Sequence, residues 1–195
     1  LEPLKLPYRP IPGNLDNVVN MRACFSDQSW MSSTGPINWT LNFDDLVLIA
    51  LDSSIAGQAH GHLSDETLSF LANTLELQKG LPVVVALHHP PITTGIEKMD
   101  IQNLRDSAQL EAILSGYSGE LRLICGHVHR NIVASFGSII CQIAPGVSHA
   151  VSMDLRSDAP NCLTKEPGGV LLHEARAGTV SYTHLRAHET PEHLR

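Results

Sequence analysis

PVVVALHHPP, residues 82–91, and LRLICGHVHR, residues 121–130, decide how this chain is read. Each begins as an apolar run of strand length. Such a run marks a strand buried on both faces, as in the middle of a parallel sheet. Each then ends in histidine: His88 and His89 before Pro90-Pro91, His127 and His129 after Gly126. In α/β sheets, sites form beyond the carboxyl ends of the strands. Two neighbouring exits that both carry histidine bring several imidazoles to one place, and imidazole suits divalent zinc, manganese or iron. His89 is set apart, because its side chain should point away from that of its neighbour along an extended backbone.

The flanking sequence fits a layered α/β fold. PINWTLNF and LVLIALD read as two strands joined at Asp44-Asp45. Ser64 precedes a helix with Leu68, Leu71, Leu75 and Gln78 at helical spacing, and Asp65 and Glu66 in its first turn suit the helix dipole. Asp106 with Gln109 reads as a capping box for a second helix. Asp16 reads as the cap of a short helix through about Cys24, with Val18, Val19 and Ala23 inward. NIVASF and SIICQIA predict a hairpin around Gly137, GGVLLHEA a last strand, and residues 152–168 a long loop. Strands alternating with helices in the middle argue for an α/β sheet, and the flanking hairpins argue against a purely parallel one.

The chain has 195 residues, 43% apolar and 17% charged, which is ordinary globular material for one domain or most of one. Its formal net charge of −7 argues against binding a nucleic-acid polymer through its own field. An anionic substrate therefore needs positive charge from elsewhere, and metal ions are one source. No window is apolar enough for a membrane span or a signal peptide. Cys24, Cys125, Cys141 and Cys162 show no close spacing, which fits a reduced, cytoplasmic setting. The chain enters at Leu1 with no start residue and reads as a piece of a longer protein. Residues 1–178 form its domain portion. Composition breaks after Gly178, and residues 179–195 read as a non-native or disordered tail.

PGNLD (12–16), LHHPP (87–91) and GHVHR (126–130), in this order, resemble the second half of a calcineurin-like metallophosphoesterase. TGIEKMD, APGVSH and EPGGVLLH resemble the branch with class III cyclic-nucleotide phosphodiesterases and glycerophosphodiesterases. The likeness spans about residues 8–176. It implies the C-terminal portion of a four-layer α/β/β/α sandwich around two divalent ions: manganese, iron or zinc. By the family pattern, Asn14, His88 and His127 hold one ion and His129 belongs to the other. An upstream Asp-x-His and Gly-Asp-x-x-Asp, absent from this chain, supply the remaining ligands and the bridging carboxylate. His149 matches a position near the substrate. His60 and His62 read as solvated loop residues, and His173 and Asp52 as structural.

The resemblance also explains Leu15, which stands where the family motif has a histidine that contacts phosphate and helps protonate the leaving oxygen. No catalytic side chain of the motif is left. The implied reaction is hydrolysis of small phosphodiesters, 3′,5′-cyclic nucleotides such as cAMP or glycerophosphodiesters, by two-metal hydroxide attack. A homodimer is compatible with it. Two other readings stand beside it: an inactive homologue that binds phosphate or nucleotide, favoured by Leu15, and a truncated, non-functional fragment.

Overall fold

A computed structural model describes residues 6–78, 80–176 and 179–186. The apolar runs form the centre of a six-stranded sheet. In chain order its strands are β1 (Trp39–Asn42), β2 (Val47–Leu51), β3 (Val83–Leu87), β4 (Leu121–Cys125), β5 (Ile132–Phe136) and β6 (Ile139–Ile143). Their spatial order is β1-β2-β3-β4-β6-β5. The four middle strands run parallel, and β1 and β5 pair antiparallel at the edges. The class is mixed α/β, with hairpins at Asp44-Asp45 and at Gly137 as expected. Gly137 takes a φ of +57°, which suits glycine in the tight turn.

Helix α2 (Asp65–Leu77) crosses from β2 to β3, and α3 (Glu97–Asp100) and α4 (Ser107–Ser115) from β3 to β4. Ser64 caps α2 by accepting the Thr67 N–H at 3.2 Å. The helices bury Leu71, Leu75, Leu110 and Leu114 against Val47, Ile49, Leu51, Val83, Val85, Leu87, Leu121 and Leu123. Each such side chain, fully buried, contributes about 1.5–3 kcal/mol. All five residues of β3 are buried, as a run covered on both faces should be. On the opposite face, Ala50, Ile37 and Trp39 pack with Trp30, Met21 and Val18. Asp52 is structural: Oδ2 accepts the Ile37 N–H at 3.0 Å and Oδ1 the Ser54 N–H at 2.9 Å. That ties the end of β2 to the segment entering β1.

Three local expectations are corrected. Helix α1 (Val18–Cys24) is capped by Asn17, not Asp16; the Asn17 side chain accepts the Asn20 N–H at 3.0 Å. Val19 and Ala23 are exposed, and Met21 takes the inward place beside Val18. Asp106 sits at the start of α4 but makes no side-chain cap bond. Its carboxylate is taken instead by the Leu63 N–H and by His62 Nδ1, at 2.8 and 2.7 Å. A long-range partner outcompetes the local one, so exposed His62 is paired rather than merely solvated.

The tail is corrected too. Strand β9 (Gly169–Arg176) does not end the sequence of strands, because β10 (Thr179–Arg186) pairs with it antiparallel, Leu172 opposite Thr183. Val180 is buried. The expected tail thus begins inside a hairpin, and residues 187–195 lie outside the described residues. The long loop carries a small clip, β7 (Ala150–Val151) with β8 (Leu163–Thr164). Of the four layers expected, the described residues form one helix layer and the large sheet. The β9–β10 hairpin lies opposite the helices, across a cavity of about 280 Å³ lined by Ile124, Ile140, His173 and Tyr182.

Candidate metal centre

Register places the site. In the parallel pair β3–β4, Leu87 lies opposite Cys125, so both strands end at one level. The Gly126 N–H donates to the His88 carbonyl at 3.0 Å, locking the exits together. Beyond Gly126 the backbone is strained. His127 and His129 adopt φ values of +69° and +56°, and no other non-glycine residue described does so. A left-handed conformation costs a side-chain-bearing residue about 1–2 kcal/mol. Such strain collects at functional sites, where the surrounding structure holds it.

The third arm is the Gly13–Asp16 turn. The Gly13 N–H donates to the Asp16 carboxylate at 2.8 Å, and the Asp16 N–H returns to the Gly13 carbonyl at 3.2 Å. This is what Asp16 does in place of capping. The preceding segment is pinned to β1, because the Trp39 indole N–H donates to the Pro10 carbonyl and Arg9 Nη1 to the Thr40 carbonyl, both at 3.2 Å. Gly13 rests on the His88 ring; a Cβ there would stand 2.8 Å from Cε1. Only glycine lets the turn come this close.

Three donor atoms meet as a result. His88 Nε2 lies 3.0 Å from Asn14 Oδ1 and 3.2 Å from His127 Nδ1. An ion with bonds of about 2.1 Å holds adjacent ligand atoms about 3.0–3.4 Å apart in octahedral or tetrahedral geometry. The spacing therefore fits one ion. The protonation state fits as well. Burial, with the charges of His89, His127 and His129, pushes the His88 imidazole down to about 3. Burial, then His129, pushes His127 down to about 4. At neutral pH both rings are uncharged, the form that binds metal. His127 Nε2 is buried with no partner among the described residues.

The other expected residues are distributed unequally. His129 does not join this group. Its Nδ1 is buried with no hydrogen-bond partner among the described residues, and its ring packs on that of His149, centroids 4.5 Å apart. Burial, then His149, lowers its pKa. His149 Nδ1 lies 2.8 Å from Ser148 Oγ. Leu15 sits at the tip of the Gly13–Asp16 turn, 94% exposed. A cleft of about 390 Å³ opens beside His88 and Gly126, and another of about 480 Å³ beside His129, Arg130 and Glu166.

His89 is the residue that sequence reasoning misplaced. The alternation that should turn it away from His88 ends with β3 at Leu87. The chain bends there, and the two rings meet edge to face with centroids 4.8 Å apart. Fully buried, His89 forms with His88 and His127 a group whose ring nitrogens lie within 4.8 Å of one another. Burial, then His127, pushes its pKa down to about 4.

No protein-family model matches the chain. Among curated proteins, it is 38% identical over 171 residues to the probable glycerophosphodiester phosphodiesterase GpdQ of Arcobacter nitrofigilis, covering 87% of this chain and 63% of that protein. It is 28% identical over 191 residues to the glycerophosphodiester phosphodiesterase GpdQ of Enterobacter lignolyticus, covering 95% and 67%. It is 30% identical over 158 residues to the 3′,5′-cyclic adenosine monophosphate phosphodiesterase CpdA of Vibrio vulnificus, covering 81% and 56%. The chain thus spans somewhat under two thirds of the Arcobacter protein. With these relatives and a site at the expected strand exits, the chain is similar to the class III cyclic-nucleotide phosphodiesterase and glycerophosphodiesterase branch of the metallophosphoesterases.

Proposed function

We propose that this chain carries one half of a dinuclear phosphodiesterase centre and acts, within a complete domain, on small phosphodiesters. The observation that carries the reading is the convergence of Asn14 Oδ1, His88 Nε2 and His127 Nδ1 at 3.0 and 3.2 Å. Three neutral donors leave a divalent ion its full positive charge, which suits an anionic diester on a chain of net charge −7. His129 is assigned to a second ion, whose carboxylates come from the Asp-x-His and Gly-Asp-x-x-Asp elements of preceding polypeptide. Bound ions supply a nucleophile at neutral pH and offset charge that develops on phosphorus. His149, whose ring packs on that of His129, is assigned as a donor to a phosphate oxygen. Glycerophosphodiesters rank first as substrates, because the GpdQ relatives match over the longest stretches; cyclic nucleotides follow from the CpdA relative.

Leu15 offers no proton to a leaving alkoxide. The experiment joins this chain to the preceding segment of the Arcobacter relative and compares it with its Leu15→His variant. The chimera should cleave nitrophenyl diesters with manganese. The variant should raise turnover of glycerophosphodiesters by about 10²-fold or more, the usual size of a general-acid contribution, and of nitrophenyl esters by less. Equal gains on both substrates assign the position to phosphate binding. A chimera that binds diesters without cleaving them, with or without Leu15→His, supports the binding-module reading, which Leu15 otherwise favours.

A further inference from the structure

His88, His89 and His127 form a closed triangle of rings, with centroid separations of 4.8, 4.9 and 5.0 Å. Two corners, His88 and His127, present nitrogen to each other, and His88 also to the Asn14 oxygen. The third corner, His89, is held from behind. Its Nδ1 lies 2.9 Å from Ser53 Oγ, and its backbone N–H donates to the same oxygen at 3.3 Å. Both residues are fully buried. Gly61 closes the remaining side: a Cβ there would stand 2.5 Å from His89 Cγ. The ring has no room to swing away.

The hydrogen bonds of Ser53 point to one tautomer of His89. A serine hydroxyl has one proton and two lone pairs. Ser53 Oγ already accepts the His89 backbone N–H, and both of these contacts among the described residues are to His89. If Nδ1 were protonated, it would donate to Oγ, and the buried hydroxyl proton would face no acceptor found in this arrangement. With Oγ donating to Nδ1, the hydroxyl is satisfied. The neutral His89 ring then carries its proton on Nε2. The Ala59 and Ser53 carbonyls favour the charged ring, although Nε2 meets no partner in hydrogen-bonding geometry among the described residues. Both His89 nitrogens have thus lost a lone pair for metal.

We infer that Ser53 locks His89 as a positioning residue, not a ligand: a fixed ring that holds the His88 and His127 rings in their donor orientation. The inference rests on the metal-centre reading above. Outer partners that orient metal-binding histidines are commonly worth about 10–100-fold in metal affinity. Sequence reasoning had no signal for it, because Ser53 and His89 lie at the exits of different strands.

The test is imidazole ¹⁵N–¹H NMR of the full chain, titrated with zinc. Without metal, His89 should show the Nε2–H tautomer; the Nδ1–H pattern overturns the inference. Zinc should move one nitrogen each of His88 and His127 and leave His89 protonated at Nε2. A metal-type shift at His89 Nε2 makes it a ligand and overturns the inference. Ser53→Ala should mix the His89 tautomers and weaken zinc binding about 10-fold or more, and Ser53→Thr should restore both. If Ser53→Ala changes neither, the positioning role is wrong although the metal centre stands. If zinc moves none of the three histidines, the metal-centre reading falls, and the inference with it.

Discussion

The two halves of the Gly126–Arg130 turn make unlike sites. His127, at its start, has Nδ1 3.2 Å from His88 Nε2, which in turn lies 3.0 Å from Asn14 Oδ1, in a glycine-lined notch. His129, two residues on, faces His149 and an open cleft. Both residues bear the same strained backbone. The difference therefore lies in what the rest of the chain brings to each: three arms to the first, and one neighbour to the second. This chain gathers Asn14, His88 and His127 into one donor group and leaves His129 beside it with His149.

The largest effect should separate the halves. His127→Ala removes a donor of the complete cradle and should weaken zinc binding by about 100-fold or more, the upper range for perturbing a metal site. His129→Ala should leave the same first-ion affinity within a few-fold. Calorimetric titration of both variants checks this. Equal losses would mean that the halves act as one site. Gly13→Ala comes next. The new methyl would need to push the His88 ring aside, and overpacking of this kind costs about 1–3 kcal/mol. Urea midpoints and zinc affinity should fall together; a change in neither would show that the Asn14 turn yields freely.

Acid sharpens the contrast at a smaller scale. Unfolded histidines titrate near 6.5, whereas His127 and His89 sit near 4 and His88 near 3 in the fold. Between those values the unfolded chain binds more protons, so stability rises with pH there. The metal-free chain should hold this stability above about pH 6.5 and lose it progressively as pH falls through 4 toward 3. Urea midpoints from pH 7 to 4 measure it, and His88→Gln should flatten the slope. An unchanged slope would mean the triangle is not as dry as its burial indicates.

What the sequence revealed follows from which forces are local. VVVAL and LRLIC were legible as central strands from their apolar residues, β3 buried throughout and β4 alternating buried with half-buried positions. The histidines after them marked the site's edge. Asn14 was legible only through resemblance, since its partner is 74 positions away. His89 was misplaced because strand alternation ends where the strand does. Asp16 and Asp106 looked like helix caps, yet each carboxylate found a stronger use in a turn or a distant loop. The β10 strand has no apolar stripe of its own and is held largely by pairing with β9, which composition does not show.

The most direct test is a crystal of the chain soaked in manganese, with the ion located by its anomalous scattering. One strong peak should lie within about 2.3 Å of Asn14 Oδ1, His88 Nε2 and His127 Nδ1 together, a reach typical of divalent ions bound by oxygen and imidazole. A fully occupied ion elsewhere with this cradle empty, or one that excludes Asn14, would contradict the account.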